Sequence, residues 1–329
     1  MTPPDGRVEA WPIDGVGEIV EGADLGALLC GLDLISGDVV LVTSKIISKS
    51  EGRTRQGDRE QTIREETVRV VAQRGATRIV ENRLGLVMAA AGVDASNVAP
   101  GHVVLLPTDP DGSARALRER VQEQTGSNIA VVITDTAGRA WRTGQTDLAI
   151  GVAGIEPLDD HAGRIDSYGN PLAVTAPAVA DELASLAELV TGKLAGRPFS
   201  IVRGLGHRVL AAGAHGPGAR ALIRRREDDM FALGAREAVI AAVQGRASDC
   251  FGTPAEPGVV LEVMESCGLA GLVEGNTVRV SLPDSGDLDR DAAAERVRLL
   301  AHAHGWTPIE DSRGAHVGGH CVTISPTHP

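Results

Sequence analysis

Short apolar runs separated by polar residues are the most regular feature of this chain. They fall within residues 38–42, 102–106, 129–133 and 199–202, and the third reads Ile-Ala-Val-Val-Ile without interruption. Apolar runs of this length without alternation are typical of strands that are buried on both faces of a mixed or parallel sheet. We therefore predict that these four segments contribute strands to a buried sheet.

Other segments show the three- and four-residue spacing of amphipathic helices. Residues 178–193 show it most clearly, and charged and aliphatic residues alternate at helical spacing over residues 58–74. Ser113 is a suitable N-cap for a further helix that runs to about Gln124. Because predicted strands alternate with predicted helices, we expect an α/β fold.

The second half of the chain changes composition twice. Residues 205–218 are rich in glycine and alanine, so we expect a mobile loop that becomes ordered over a ligand. Beyond Gly234, a helix is expected over 235–244 and a linker over 252–258. We therefore divide the chain into a first domain, residues 1–245, and a small α/β domain, residues 246–329. The elements predicted after the linker are a helix (259–266), a strand (277–282), a helix (291–304) and two short strands around Thr307 and Val322.

The composition argues against several functional classes. A chain of 329 residues with 43% hydrophobic content can bury one or two cores, and a net charge of −12 disfavours non-specific binding to nucleic-acid phosphates. The four cysteines form no Cys-x-x-Cys pair, so we expect free thiols in a reducing cytoplasm. We find no leader and no apolar stretch long enough to span a bilayer, so neither export nor membrane insertion is expected.

The polar residues after the strand at 129–133 are the main candidates for chemistry. Asp135 and Thr136 come first, and Arg139 and Arg142 follow. Open α/β sheets bind ligands beyond the carboxyl ends of their strands. There, Asp and Thr oxygens suit Mg²⁺ or Mn²⁺, and arginines suit phosphate or carboxylate. The alternative is a polar turn capped by Asp135, with solvated arginines.

Further cations and possible metal ligands lie elsewhere in the sequence. Lys49 and Arg203 are candidates for holding an anionic substrate, although Lys49 is equally consistent with a surface lysine. No G-x-x-x-x-G-K-[ST] sequence occurs, so phosphates are not held as in P-loop proteins. The glycines between His316 and His320 disfavour a helix that would align them, so we expect no metal there or at Cys321.

Longer stretches resemble the signatures of a known family. Residues 42–53, 81–97, 135–151 and 166–183 are similar, in this order, to signatures of the coenzyme F420:L-glutamate ligase family. The resemblance extends over about residues 8–234. In some actinobacterial relatives a nitroreductase-like domain follows the ligase module. Here fewer than a hundred residues follow it, and they do not resemble that domain.

The resemblance implies both a fold and an activity. The fold would be a two-domain gamma-glutamyl-ligase-like arrangement of mixed α+β sheets in an intertwined homodimer, with a small extra C-terminal α/β domain. The activity would be GTP-dependent ligation of L-glutamate to coenzyme F420-0, followed by successive gamma-linked glutamates. GTP would phosphorylate the terminal carboxylate, and the amine of glutamate would then displace phosphate from the acyl phosphate.

The resemblance also implies roles for individual residues. Asp94 and Asp135 would hold one divalent ion, Mg²⁺ or Mn²⁺, and Thr136 would help to hold a second, with K⁺ as a further candidate ion. Asp135, Arg139 and Arg142 would be the catalytic residues. The predicted contacts to GTP are Ser44, Lys49, Asn97 and the loop made of Val16, Gly17, Glu18 and Ile19.

One position departs from the family pattern, and two other functions stay open. Ala176 stands where the family often has Glu, so no carboxylate role carries over there. Tyr168, the only tyrosine, is a candidate for stacking on the deazaflavin. The residues alone are also compatible with a metal-dependent phosphotransferase or hydrolase that lacks an amine acceptor. They are compatible as well with a module that binds nucleotide or deazaflavin without turnover.

Overall fold

The computed structural model describes residues 6–283, 290–309 and 321–327. By contacts, the chain divides into two compact units, Met1–Ile223 and Arg224–Pro329. Both units combine helices with sheets, which confirms the predicted α/β class. In the described part of the chain, no helix is both long and apolar enough to cross a membrane.

The elements of the two units, apart from short 3-10 turns, are as follows. The first unit contains β1 (Glu9–Pro12), α1 (Leu25–Cys30), β2 (Val39–Thr43), α2 (Ser44–Ser50), β3 (Thr54–Gln56), α3 (Arg59–Glu66), β4 (Thr67–Arg74), β5 (Thr77–Asn82), β6 (Val87–Ala89), β7 (His102–Val104), α4 (Pro110–Thr125), β8 (Ala130–Arg139), β9 (Arg142–Ala153), α5 (Val179–Thr191) and β10 (Phe199–Arg203). The second unit contains α6 (Ala235–Gln244), α7 (Pro257–Ser266), β11 (Gly271–Glu274), β12 (Thr277–Ser281), α8 (Arg290–Ala303), β13 (Trp306–Pro308) and β14 (Cys321–Pro326).

A five-stranded sheet of order β1-β10-β2-β8-β9 forms the centre of the first unit. Val40 and Val131 face a core that includes residues of α1 and α4, whereas Leu41 and Val132 face a core that includes residues of α5. Since successive residues of a strand point to opposite faces, a strand between two helical layers must be apolar at every position. The continuous apolar runs in the sequence have this physical origin.

The predicted helix over residues 58–74 is half wrong. The helix α3 ends at Glu66, and Thr67–Arg74 instead forms β4, which pairs with β5 in a three-stranded sheet. The Thr67 hydroxyl donates to the carbonyl oxygen of Ile63 where the helix ends. Because β4 contains a threonine and three valines, its β-branched residues favour a strand once a partner strand is present.

Helix α4 begins earlier than the sequence suggested. Its N-cap is Asp109, whose carboxylate accepts a hydrogen bond from the Gly112 amide, and Pro110 occupies the first turn. Ser113 instead donates its hydroxyl proton to the Glu51 carboxylate at 2.6 Å. The assignment of Ser113 as N-cap was therefore wrong, because Asp followed by Pro is the stronger start signal.

The segment 205–218 is not a free loop over the carboxyl ends of the strands. The buried Arg118 side chain donates to the carbonyl oxygens of Leu210, Ala211 and Ala214 at 2.7–3.0 Å. It also donates to the Ile129 carbonyl, which directly precedes β8. This segment is thus anchored near the amino end of β8, so the expectation of a mobile loop was wrong, and its ordering over a ligand stays a prediction.

The second unit is a four-stranded antiparallel sheet of order β11-β12-β14-β13 that shares one core with α7 and α8. The two helices and three strands predicted beyond the linker are confirmed, but β11 was not predicted and α7 begins at Pro257, inside the expected linker. The unit also includes α6, because Arg298 of α8 donates to the last carbonyl groups of that helix. The sequence-based division of the chain into domains 1–245 and 246–329 stays a prediction. His316 and His320 lie outside the described residues.

Truncation tests which residues belong to the second unit. Protein that ends at Ile223 should show a single cooperative thermal transition, because it retains every element of the first unit. Protein that ends at Gly252 keeps α6 but loses α8. In the full chain, Arg298 of α8 contacts the end of α6, and His302 of α8 contacts the Arg246 carbonyl. We expect trypsin to remove residues 224–252 from this protein rapidly but to spare them in the full chain. Equal protection of that segment in both proteins would contradict the boundary at Ile223.

Candidate active site at the carboxyl edge of the central sheet

The site is built where β2 ends beside β8, which continues for five more residues. These two strands are parallel, whereas the other pairs in the sheet are antiparallel, and Thr43 is the register partner of Thr134. The next residues, Ser44 and Asp135, are therefore adjacent, and the Ser44 hydroxyl donates to the Asp135 carboxylate at 2.7 Å. The structure thus brings together two residues that the resemblance assigned to GTP and to metal.

Asp135 is an acid whose ionised form is poorly stabilised. Burial is the largest influence and raises its pKa to about 6, against the lowering effect of the Ser44 hydrogen bond. The negative charges of Asp147 and Asp94 raise the pKa further, while Lys45 lowers it. A cation bound beside this carboxylate would relieve both the desolvation and the repulsion.

Asp94, 41 positions earlier in the sequence, has the opposite character. Desolvation opposes its ionisation, but hydrogen bonds from Lys45 and Ser96 prevail and lower its pKa to about 2. Its carboxylate lies 2.5 Å from the Lys45 ammonium and accepts from both the amide and the hydroxyl of Ser96. Asp94 is therefore an ionised carboxylate close enough to Asp135 to influence its titration.

Thr136 points to the other face of β8, because side chains alternate along a strand. Its hydroxyl donates to the buried Asp147 carboxylate at 2.7 Å, and the Lys193 ammonium donates to the same hydroxyl oxygen at 2.6 Å. The Thr134 hydroxyl also donates to Asp147, at 3.2 Å. The Thr136 hydroxyl thus donates to Asp147 while its oxygen accepts from Lys193.

The donor set fits a divalent ion that is shared with a phosphate ligand. Within the described residues, no group of three or more His, Cys, Asp or Glu side chains could enclose a metal. Mg²⁺ is commonly held by only one or two carboxylates, with phosphates and water as its other ligands. Asp94 and Asp135 supply two hard oxygen donors of this kind. Because Thr136 faces the opposite side of β8, it could only serve a different ion, as the resemblance implied.

The predicted nucleotide contacts come together around α2. The Lys49 ammonium lies 2.5 Å from the Glu18 carboxylate, which ties the loop Val16, Gly17, Glu18 and Ile19 to this helix. Only 11% of the Lys49 side chain is exposed, against 75% of that of Glu18, so Lys49 is not an ordinary surface lysine. Asn97 is exposed in the loop that carries Asp94, with a left-handed backbone φ of 56°. Their roles toward GTP stay predictions.

Two cations of this edge were missed at the level of sequence, namely Lys45 and Lys193. Together with Lys49 they are the only lysines in the chain, against 29 arginines among its 32 basic residues. All three contact groups at the carboxyl edge of the central sheet. Their scarcity in the composition was a signal that could have identified them.

Arg203, a candidate phosphate ligand by sequence, lies at the opposite edge. Its guanidinium makes two 2.7 Å hydrogen bonds to Asp38, which is fully buried and precedes β2, and it lies over the ring of Trp11 at 5.1 Å. Because Ser44 follows β2, Arg203 and the candidate site are separated by the length of that strand. The expectation that Arg203 binds substrate anions was therefore wrong.

Arg139 and Arg142 are not placed against the carboxylates. They stand at the end of the β8-β9 hairpin, on either side of its two-residue turn, and both are exposed. Trp141 in this turn is 86% exposed and has a φ of 64°, which is unusual for a bulky residue. The four residues from Asp135 to Arg139 correspond to ~14 Å along the strand. A catalytic role for either arginine stays a prediction.

Tyr168 lies at the tip of a hairpin-like arm formed by residues 159–177. Backbone hydrogen bonds such as His161 N to Thr175 O, 2.9 Å, join its two sides. Exposed apolar side chains lie along the arm, with Ile165 70%, Tyr168 90% and Val174 92% accessible. Asp166 accepts from the Tyr168 and Asn170 amides, so its role here is to shape the turn.

The chain is similar to proteins of known family. Residues 57–204, which include Asp94 and Asp135, match the family model described as F420-0:Gamma-glutamyl ligase. Coenzyme F420:L-glutamate ligase of Archaeoglobus fulgidus is 40% identical over 221 residues, which cover 60% of this chain and 88% of that protein. The proteins of the same name from Methanothermobacter thermautotrophicus and Methanopyrus kandleri are 37% and 39% identical. These two matches each cover 68% of this chain, and 96% and 97% of the respective relatives.

The raised pKa of Asp135 predicts a pH-dependent stability for the metal-free protein. The folded chain keeps this carboxyl protonated up to about pH 6, whereas the unfolded chain loses the proton around 3.8. Between pH 3.8 and 6 the folded state therefore binds more protons than the unfolded state. The free energy of unfolding falls over this range as the pH rises, by up to about 3 kcal/mol in total. Asp135→Asn should lack this contribution.

Urea denaturation in EDTA between pH 4 and 7 measures the effect. The free energy of unfolding of Asp135→Asn should rise relative to that of the unsubstituted protein as the pH increases. Asp94, with its pKa lowered to about 2, is present in both proteins, so the stability that it gains as the pH rises from 4 to about 5 cancels in the comparison. Parallel pH profiles for the two proteins would show that Asp135 is not the titrating group.

Proposed function

This chain belongs to the F420-0:gamma-glutamyl ligase family, and on that premise we propose that it joins L-glutamate to coenzyme F420-0 with hydrolysis of GTP, and then adds further gamma-linked glutamates. One observation carries the proposal. The three lysines of a chain with net charge −12 lie near the point where β2 ends, at the sheet edge where a polyphosphate would bind. Lys45 contacts Asp94, and Lys49 follows Lys45 by one turn of α2. Lys193 contacts Thr136 on the other face of β8.

The chemistry explains why positive charge is needed there. A carboxylate is a poor electrophile, so the γ-phosphoryl group of GTP is first transferred to it, with GDP leaving. The amine of glutamate then attacks the acyl phosphate and phosphate departs. In the first step two anions must approach each other, and cations fixed at short range lower the cost of that approach. Lys45, Lys49 and Lys193 supply such cations.

Divalent ions would complete the charge balance. Asp94 and Asp135 would hold one Mg²⁺ or Mn²⁺, and Thr136 would contribute its hydroxyl oxygen to a second, with K⁺ as a further candidate. When bound, such ions neutralise phosphate oxygens. The Ser44 hydroxyl holds the Asp135 carboxylate in one orientation, and Asp147 does the same for the Thr136 hydroxyl.

The nucleotide would lie along α2 and the two loops beside it. The Lys49 ammonium pairs with Glu18 in the structure and would pair with a phosphate when the nucleotide binds. Ser44 and Asn97 would contribute hydrogen bonds, and the loop from Val16 to Ile19 would line the base or ribose. Because lysine is a compact point charge, it suits a phosphate that changes position during transfer.

We also propose that the protein acts as a homodimer in the cytoplasm. The arm of residues 159–177 exposes Ile165, Tyr168 and Val174, and a second copy of the chain would cover such side chains. The four cysteines are free thiols, which suits a reducing compartment.

The decisive test uses purified full-length protein with F420-0, GTP, L-glutamate and Mg²⁺ or Mn²⁺, analysed by mass spectrometry. Products heavier by one or more glutamyl units, formed together with GDP, are the expected result. GTP hydrolysis without a glutamylated product would favour a phosphotransferase or hydrolase, and binding without turnover would favour a binding module. Light scattering of the same preparation measures its oligomeric state.

The first prediction from this proposal concerns the metal. Asp135→Asn keeps the size of the side chain but removes its charge, so turnover should fall by at least about a hundredfold. Asp94→Asn should behave alike, and the double variant should be hardly worse than either single one, since both carboxylates serve one ion. The exposed Asp249, outside this site, provides the control Asp249→Asn. Near-normal turnover of Asp135→Asn at saturating Mg²⁺ would remove Asp135 from the metal site.

The second prediction concerns Lys49. Lys49→Ala should weaken GTP binding by about tenfold or more, because a charge-assisted contact to phosphate is lost, while the KM for glutamate changes little. Lys49→Arg retains the charge and should bind GTP more tightly than Lys49→Ala does. Isothermal titration calorimetry gives the GTP affinities, and an unchanged affinity in Lys49→Ala would leave Lys49 as a structural partner of Glu18 only.

A further inference from the structure

Two arginines face each other across the end of the β8-β9 hairpin. Arg139 and Arg142 are register partners, and both are exposed. Among the described residues, neither makes an ion pair with a carboxylate, and the contact found for Arg139 is a long one of 3.5 Å to the Thr143 carbonyl oxygen. At that distance a hydrogen bond restrains the guanidinium weakly.

This arrangement costs stability unless an anion is present. Like charges directly opposite each other on antiparallel strands repel. Elsewhere in the chain a guanidinium near the sheet is neutralised within the protein, as Arg203 is by two hydrogen bonds to Asp38. The hairpin pair has no such partner among the described residues, so its charges are available to a ligand.

The position of the pair relates it to the proposed reaction. Arg139 follows Asp135 by four residues on β8, and the pairing with β9 shifts register between Gly138 and Arg139. Lys193 contacts Thr136, three positions before Arg139 on β8, whereas the two arginines lie at the end of the hairpin. A phosphate bound near Asp135 and a second anion at the arginines would therefore be separated by ~14 Å along the strand.

We propose that Arg139 and Arg142 bind the two carboxylates of the acceptor, L-glutamate, and so determine which amino acid is ligated. The inference rests on the proposed ligase function. A guanidinium is a planar fork that matches a carboxylate with two parallel hydrogen bonds, and two such forks suit an acceptor with two carboxylates. Held in this way, the acceptor directs its amine toward the base of the hairpin.

The two arginines take no part in the bond changes. The amine nitrogen forms a bond to the acyl carbon, and the bond from that carbon to the phosphate oxygen breaks. The phosphate leaves with the electron pair and takes up the surplus proton of the amine. The arginines act by holding the acceptor, and thus as specificity-determining residues.

The experiment compares acceptors in single variants of the full-length protein. Arg139→Gln and Arg142→Gln retain hydrogen-bonding atoms but lose the charge, and L-glutamine serves as an acceptor that has lost one carboxylate. We expect the KM for L-glutamate to rise at least about tenfold in each variant, with the KM for GTP within about twofold. In at least one variant, the preference for glutamate over glutamine in kcat/KM should fall by about tenfold or more.

Matched controls separate this effect from a loss of folding. Arg115→Gln, at an exposed position on α4, should leave every constant unchanged, and thermal melts should coincide for all variants. Arg142→Lys keeps the charge but lacks the planar guanidinium. Its KM for L-glutamate should lie between those of the unsubstituted protein and Arg142→Gln. A raised KM for GTP or for F420-0 with an unchanged KM for glutamate would overturn the assignment, as would an unchanged preference for glutamate. If the unsubstituted protein adds no glutamate to F420-0, the proposed function itself fails and the inference falls with it.

Discussion

The parallel pairing of β2 with β8 is the constraint on which the candidate site depends. The other pairs in the central sheet are antiparallel, so only here do two neighbouring strands run in the same direction, and β2 ends beside Thr134 of β8. The register that pairs Thr43 with Thr134 then sets Ser44 against Asp135. A slip of one residue would turn Asp135 to the opposite face of β8, because side chains alternate along a strand.

That edge concentrates charge of both signs in a small volume. Burial raises the pKa of Asp135 most, the charges of Asp147 and Asp94 raise it further, and Lys45 opposes them. The carboxylates accept hydrogen bonds from hydroxyl groups, and Asp94 also pairs with the Lys45 ammonium. The protein groups alone do not complete such a site. The lysines need the negative charge of phosphates, and the carboxylates need the positive charge of divalent ions. We infer that it reaches electrostatic balance only when both are bound.

Several errors of the sequence-based interpretation share one cause. Residues 67–74 have helical spacing and yet form β4, because β5 offers a partner strand that a local pattern cannot reveal. Arg203 is one of 29 arginines, and only the fold shows that the buried Asp38 neutralises it. The glycine-rich segment 205–218 has the composition of a lid, but Arg118, about ninety residues earlier, holds it at the other edge. In each case a distant residue outweighs the local signal.

The sequence by itself determined the α/β class, the buried strands, the family and the residues around which the site is built. It could do so because a strand covered on both faces must be apolar throughout, and because long signatures contain both the strand and the polar residues that follow it. Only the tertiary structure decided how these residues are used. It joined Asp94 to Asp135 across 41 positions, gathered the three lysines at one edge and placed Arg139 opposite Arg142. These relations arise from strand order and register, which are fixed by contacts between distant parts of the chain and leave little trace in local patterns.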